Sequence, residues 1–119
     1  MEKRIYEEKP LAIEEVVSAG VRTTIMRFAI EETENGWECE ESCFNHKEPL
    51  TEDDYGRLVS FLVREVYSAD EMEALHNNFL LSPDAYKEDM DTMQRWRQIA
   101  KQTAEQVIAN AVANSPHQA

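Results

Sequence analysis

The dipeptide Asn35-Gly36 constrains what this chain can fold into more than any other feature. Asn and Gly accept positive φ at both central positions of a type I′ turn, so the flanking segments are predicted to form an antiparallel β-hairpin. A turn centred there sets Glu34 opposite Trp37, Glu32 opposite Cys39, Ile30 opposite Glu41 and Phe28 opposite Cys43. Alternation then places Met26, Phe28, Ile30, Trp37, Cys39 and Cys43 on one side, the predicted core face.

Upstream, Leu11, Ile13 and Val17 alternate with polar residues, and Ala19-Gly20 fits a second two-residue turn. Ile13 would then face Met26 and Leu11 would face Phe28, so both hairpins bury the same side and a three-stranded meander results. A short helix from Pro10 to Ala19, closed by Gly20, is the competing reading, because Pro at a first turn and Gly past a last turn are helix punctuation.

Helix signals begin at Thr51-Glu52-Asp53-Asp54, a hydroxyl cap followed by carboxylates suited to the positive end of a helix. Tyr55, Leu58, Val59, Leu62 and Val66 follow at helical spacing. Ser68-Ala69-Asp70-Glu71 reads as a capping box, with Met72, Leu75, Phe79 and Leu80 on the next apolar stripe. Ser82-Pro83 starts a third helix, whose stripe runs through Tyr86, Met90, Met93, Trp96, Ala100, Ala104, Val107, Ile108 and Ala111. At 1.5 Å per residue such a helix reaches about 45 Å, longer than a domain of this size is wide. Its end, with Val107, Ile108 and Ala111, is therefore expected either to pack outside its own domain, as a self-association surface, or to fray.

The expected architecture is a single α+β domain over 1–114: a β-hairpin or meander in a β-rich part, 1–48, then three helices over 51–114. Residues 115–119 are read as a disordered tail. Length supports one core, since 119 residues make one ordinary domain. Apolar residues at 42% and charged residues at 30% are a globular balance rather than a disordered one. No apolar run is long enough to span a bilayer and no signal-peptide core opens the chain, so a cytoplasmic protein without membrane contact is expected.

Net charge is −12, and 15 of the 24 acidic side chains fall in residues 1–54 against 6 of the 12 basic ones. Such a field repels phosphate backbones, which disfavours direct nucleic-acid binding and favours a basic protein partner or plain solubility. Within the hairpin the register sets Glu31 opposite Glu40 with Glu38 diagonal, all on the outer face. Like charges opposed across strands destabilise by up to about 1 kcal/mol per pair. Arg27, two pairs away, can neutralise them internally; a basic partner or a cation is the alternative. Glu31, Glu38 and Glu40 are thus the candidate partner-binding residues.

Cys39, Cys43 and His46 form a C-x3-C-x2-H cluster that could offer zinc three ligands. Strand residues four apart lie about 13 Å from each other, however, too far for one tetrahedral ion or a disulfide, so buried free thiols are expected. A Cys43–His46 nucleophilic pair has no third residue to orient it. His76 reads as a partly buried, hydrogen-bonded histidine, and His117 falls in the tail. With only Gly20, Gly36 and Gly56 there is no glycine-rich phosphate loop, and neither H-E-x-x-H nor G-x-S-x-G occurs. No catalytic residue or cofactor is assigned, and a non-enzymatic protein is expected.

The run Tyr55-x2-Leu58-Val59-x2-Leu62-Val63-x3-Tyr67-Ser68-Ala69-Asp70-Glu71-x2-Ala74-x2-Asn77-Asn78, with Tyr86, Trp96-Arg97 and Ala100-Lys101, resembles a pattern in small uncharacterised proteins encoded by phages and prophages of gut bacteria. The resemblance covers the second half of the chain and carries no activity with it. It implies an accessory role on a mobile element, where assembly parts and inhibitors are both common. The expected function is protein–protein interaction or assembly, with homo-oligomers in view. An acidic inhibitor that mimics nucleic acid before a basic, nucleic-acid-handling protein is the alternative.

Overall fold

The computed structural model describes residues 1–114, so the expected tail, with His117, lies outside the described residues. The fold is α+β, a four-stranded antiparallel sheet followed by three helices. Strand β1 spans Glu2–Tyr6, β2 Ile13–Ser18, β3 Val21–Thr33 and β4 Gly36–His46, in spatial order β1-β4-β3-β2. A 3-10 turn, Glu52–Asp54, leads into α1, Tyr55–Val66; α2 spans Ala69–Leu81 and α3 Pro83–Ala113.

The second hairpin follows the expected register: Ile13 faces Met26, and Ala19 and Gly20 turn at φ of 52° and 78°. Positive φ at both positions is the type I′ signature, and it overturns the helical alternative for 10–19. Leu11 departs from expectation. Strand β2 starts two residues later, and Leu11 lies 65% exposed in the connection from β1.

The first hairpin is where the register differs. Glu34 and Asn35 form the turn, while Thr33 pairs with Gly36 and Glu32 with Trp37. The Thr33 hydroxyl locks this arrangement, donating to the Gly36 carbonyl at 3.0 Å and accepting from the Asn35 amide at 3.2 Å. Gly36 is required on two counts: its φ is +125°, and a Cβ there would stand 2.8 Å from the Tyr6 carbonyl oxygen of β1.

Further from the turn, β3 carries a bulge. Phe28 faces Glu40 and Glu31 faces Glu38, so Ala29 and Ile30 together oppose Cys39. Ala29 takes up the extra residue at φ 53°. One added residue exchanges the two faces of β4 relative to β3. Thr24, Met26, Phe28, Ser42, Phe44 and His46 consequently face the helices, whereas Cys43 is exposed rather than buried.

Helices α1 and α3 cover that face. Met26 and Phe44 meet Leu50, Leu58, Leu62, Val63, Ala100, Ala104, Val107 and Ile108 in one core cluster. Trp96 ties the layers together, its ring edge-on to Phe28 at 5.1 Å and its Nε1–H donating to the Leu62 carbonyl at 3.0 Å. Thr51 and Ser68 both begin capping boxes, closed by Asp54 and Glu71.

The end of α3 corrects the expected self-association surface. Val107 and Ile108 are 3% and 7% exposed inside this chain's own core, and Ala111 packs against it. The spare length lies at the other end of α3, where α2 packs on it. No residue of α2 is buried; Leu80, expected on its apolar stripe, is 77% exposed beside Leu81. His76 is exposed too.

Candidate functional site

The hairpin tip gathers carboxylates because β-strand alternation and the bulge act together. Glu31 and Glu38 are cross-strand partners, and Glu40 follows two residues along β4, where it has Phe28 on one side and Lys3 of β1 on the other. All three share the helix-facing side of the sheet, toward the turn from the Phe28–Trp96 contact, not the outer face on which the expected register set them. The pairing also differs in detail, since Glu31 opposes Glu38 instead of Glu40. Among the described residues none of the three carboxylates is held in an ion pair. They border a concavity of about 450 Å³ at the bulge, which Lys3, Ile5 and Ala29 also line.

Arg27 does not neutralise this cluster. It points to the opposite face, where residues 7–12 cross the sheet from one edge strand to the other. Under this connection the Arg27 guanidinium donates to Glu41 at 2.8 Å, Glu14 at 2.8 Å and the Leu11 carbonyl at 2.9 Å. The Arg27 amide donates to the Ala12 carbonyl at 2.8 Å, which fastens the crossing segment down. Tyr6 adds its hydroxyl to the Glu41 carboxylate and its ring to the guanidinium, 5.0 Å away. Arg4 reaches the second Glu41 oxygen at 3.4 Å.

Burial alone would push the Glu41 carboxyl up, but hydrogen bonds from Tyr6 and Arg27 and the charges of Arg27 and Arg4 outweigh it and hold it below the usual range. Burial likewise works against the Arg27 charge, and hydrogen bonds to Glu14, Glu41 and Tyr6 more than restore it. The Tyr6 hydroxyl is pushed up by its bond to Glu41 and by burial. These groups form a satisfied structural network with no proton to exchange near neutrality.

A carboxylate depressed by folding stabilises the folded state above its unfolded pKa, about 4.3, and that contribution disappears as pH falls through the lower folded value. The stability gap between the parent protein and Glu41→Gln is therefore expected to be widest above about pH 5 and to narrow below pH 4. Urea midpoints measured from pH 7 to pH 3 test this; a gap that stays constant would contradict it.

Cys39, Cys43 and His46 do not converge. Cys39 is buried on the outer face beside Glu41, Cys43 is exposed, and His46 is buried on the helix side. Both His46 nitrogens are engaged, Nδ1–H donating to the Glu48 carbonyl at 2.7 Å and Nε2 2.8 Å from Thr24 Oγ1. Burial pushes the Cys39 thiol up, the neighbouring protein partly desolvates Cys43 to the same effect although its side chain reaches the surface, and the Glu41 carboxylate adds to both, so neither is primed as a nucleophile. Among the described residues no group of three His, Cys, Asp or Glu side chains could hold a metal ion. No helix among them is long and apolar enough to cross a membrane.

Strand β1, which sequence reasoning missed, contributes Lys3 and Ile5 to the acidic concavity and Arg4 and Tyr6 to the buried network. Its segment Glu2-Lys3-Arg4-Ile5-Tyr6 has one aliphatic residue and no core face, so alternation gave no signal. Comparison with known protein families, with curated proteins and with solved structures finds no match to this chain.

Proposed function

We propose that this is a non-enzymatic interaction protein that engages a basic protein partner through the acidic hairpin face of Glu31, Glu38 and Glu40. The reading is carried by one observation: three carboxylates stand together on adjacent strand positions with no ion pair among the described residues. Opposed like charges destabilise a sheet, and a cationic partner converts that cost into binding energy and a faster encounter. A net charge of −12 turns nucleic acid itself away. If the partner is a nucleic-acid-handling protein, the same carboxylates would occupy its phosphate sites and inhibit it. An accessory role on a phage or other mobile element is the setting in which we place it.

Reversal of all three residues to lysine is the test. Affinity capture followed by mass spectrometry is expected to recover a basic partner with the parent protein and to lose it with the triple variant, with binding weakening as salt rises. Retention of every captured partner by the variant would end the proposal.

A further inference from the structure

A second surface lies where the start of α1 approaches the end of α3. Tyr55, Ile108, Ala109 and Val112 line a groove of about 660 Å³. Ile108 is 7% exposed and forms its floor, whereas Val112, one turn on, is 37% exposed at its mouth. Two charged side chains border it, Glu52 and Glu105, both carboxylates, and neither is in an ion pair among the described residues.

The groove is walled by one face of α3 and by the start of α1 with the 3-10 turn before it, and no strand edge borders it for an extended peptide to join. A trough between two helices instead accepts a third helix, whose apolar residues at i, i+3, i+4 and i+7 fill it. The charge at the border then selects among helices. Lysine or arginine beside the apolar stripe would meet Glu52 and Glu105, whereas an acidic helix would be repelled.

We infer that this groove docks an amphipathic helix of a partner protein, its apolar stripe seated on Ile108 and Val112 and its flanking basic residues paired with Glu52 and Glu105. The surface is separate from the acidic hairpin, and the two would allow one basic partner to be held at two points.

The probe is a synthetic helical peptide with leucines on one face and lysines on the other, compared with its leucine and glutamate counterpart by fluorescence anisotropy. Binding is measured to the parent protein, to Ala109→Arg, and to a protein carrying the hairpin reversals Glu31→Lys, Glu38→Lys and Glu40→Lys. Arginine at 109 blocks the groove and repels the lysine peptide, while its pairing with Glu105 one turn earlier supports the helix. The lysine peptide is expected to bind the parent and the hairpin variant one to one, to lose about tenfold or more in affinity on Ala109→Arg, and the glutamate peptide not to bind. The inference is overturned if Ala109→Arg leaves affinity unchanged, if hairpin reversal alone abolishes binding, or if the glutamate peptide binds equally. It is equally overturned if the parent is a dimer that Ala109→Arg converts to a monomer, since a second copy would then cover the groove.

Discussion

Arg27→Leu is expected to lower stability by about 3–5 kcal/mol, because it removes one partner of a buried ion pair and leaves the other charged. The Arg27 and Glu41 side chains are 5% and 7% exposed, so the Glu41 carboxylate that remains has little water to turn to. The Leu11 carbonyl and Glu14 also lose their donor, so the segment 7–12 keeps only the Lys9 ammonium over the Trp37 ring, 5.6 Å away, as a side-chain attachment to the sheet. Arg4 and Tyr6 still reach Glu41, which favours the lower half of that range. Replacing both members, Arg27→Leu with Glu41→Leu, is expected to recover most of the loss, since an apolar pair requires no ion desolvation. Urea denaturation of the parent, both single variants and the double variant gives the coupling directly. A single Arg27→Leu variant within 1 kcal/mol of the parent would mean that the crossing segment does not shield the pair from water.

That network was invisible in the sequence for a physical reason. Glu14, Arg27 and Glu41 are far apart along the chain, alternation alone sets Arg27 beside Glu31, Glu38 and Glu40 instead, and only the crossing of residues 7–12 over the outer face encloses Arg27 with Glu41. The crossing follows from β1 lying at one edge of the sheet and β2 at the other, and β1 has too little hydrophobic alternation to be recognised. The helices were legible to within a residue or two because their boundaries are written in local chemistry: the Thr51 and Ser68 capping boxes and Pro83 at a first turn. The α3 stripe is equally plain, but a stripe alone does not say which end of the helix overhangs the sheet. A helix of 31 residues does outrun its sheet, but it does so at its N-terminal end, where α2 packs on it, while Ala100 and Ala104 let the C-terminal half settle into the core.

The acidic cluster survived an error in register for a related reason. Shifting the turn from Asn35-Gly36 to Glu34-Asn35 moves the pairs between the turn and the bulge by two residues, and a two-residue shift preserves faces. Glu31, Glu38 and Glu40 therefore remain together in either register, and only the side of the sheet and the identity of the facing pair change. Beyond the bulge no such protection exists. One extra residue at Ala29-Ile30 exchanges core and solvent positions on β4, and nothing in the local sequence marks it, since alanine is an unfavourable residue at φ 53°.

The bulge makes the strongest discriminating prediction, because Phe44 and Cys43 exchange roles across it. In an unbroken hairpin Cys43 would be buried and Phe44 would face water. In the structure Phe44 is 9% exposed, edge-on to Phe61 at 5.1 Å and stacked near His46 at 5.9 Å, with the Arg57 guanidinium over its other side at 5.3 Å. Phe44→Ala is therefore expected to cost about 3–5 kcal/mol, from lost transfer energy and the cavity left between β4 and α1. Cys43→Ala, on the exposed face, is expected to stay within about 0.5 kcal/mol of the parent. Thermal and urea denaturation of the two variants side by side decide between the registers. Comparable losses at both positions, or a larger loss at Cys43, would show that β3 and β4 pair without the bulge, and the acidic face would then lie on the opposite side of the sheet.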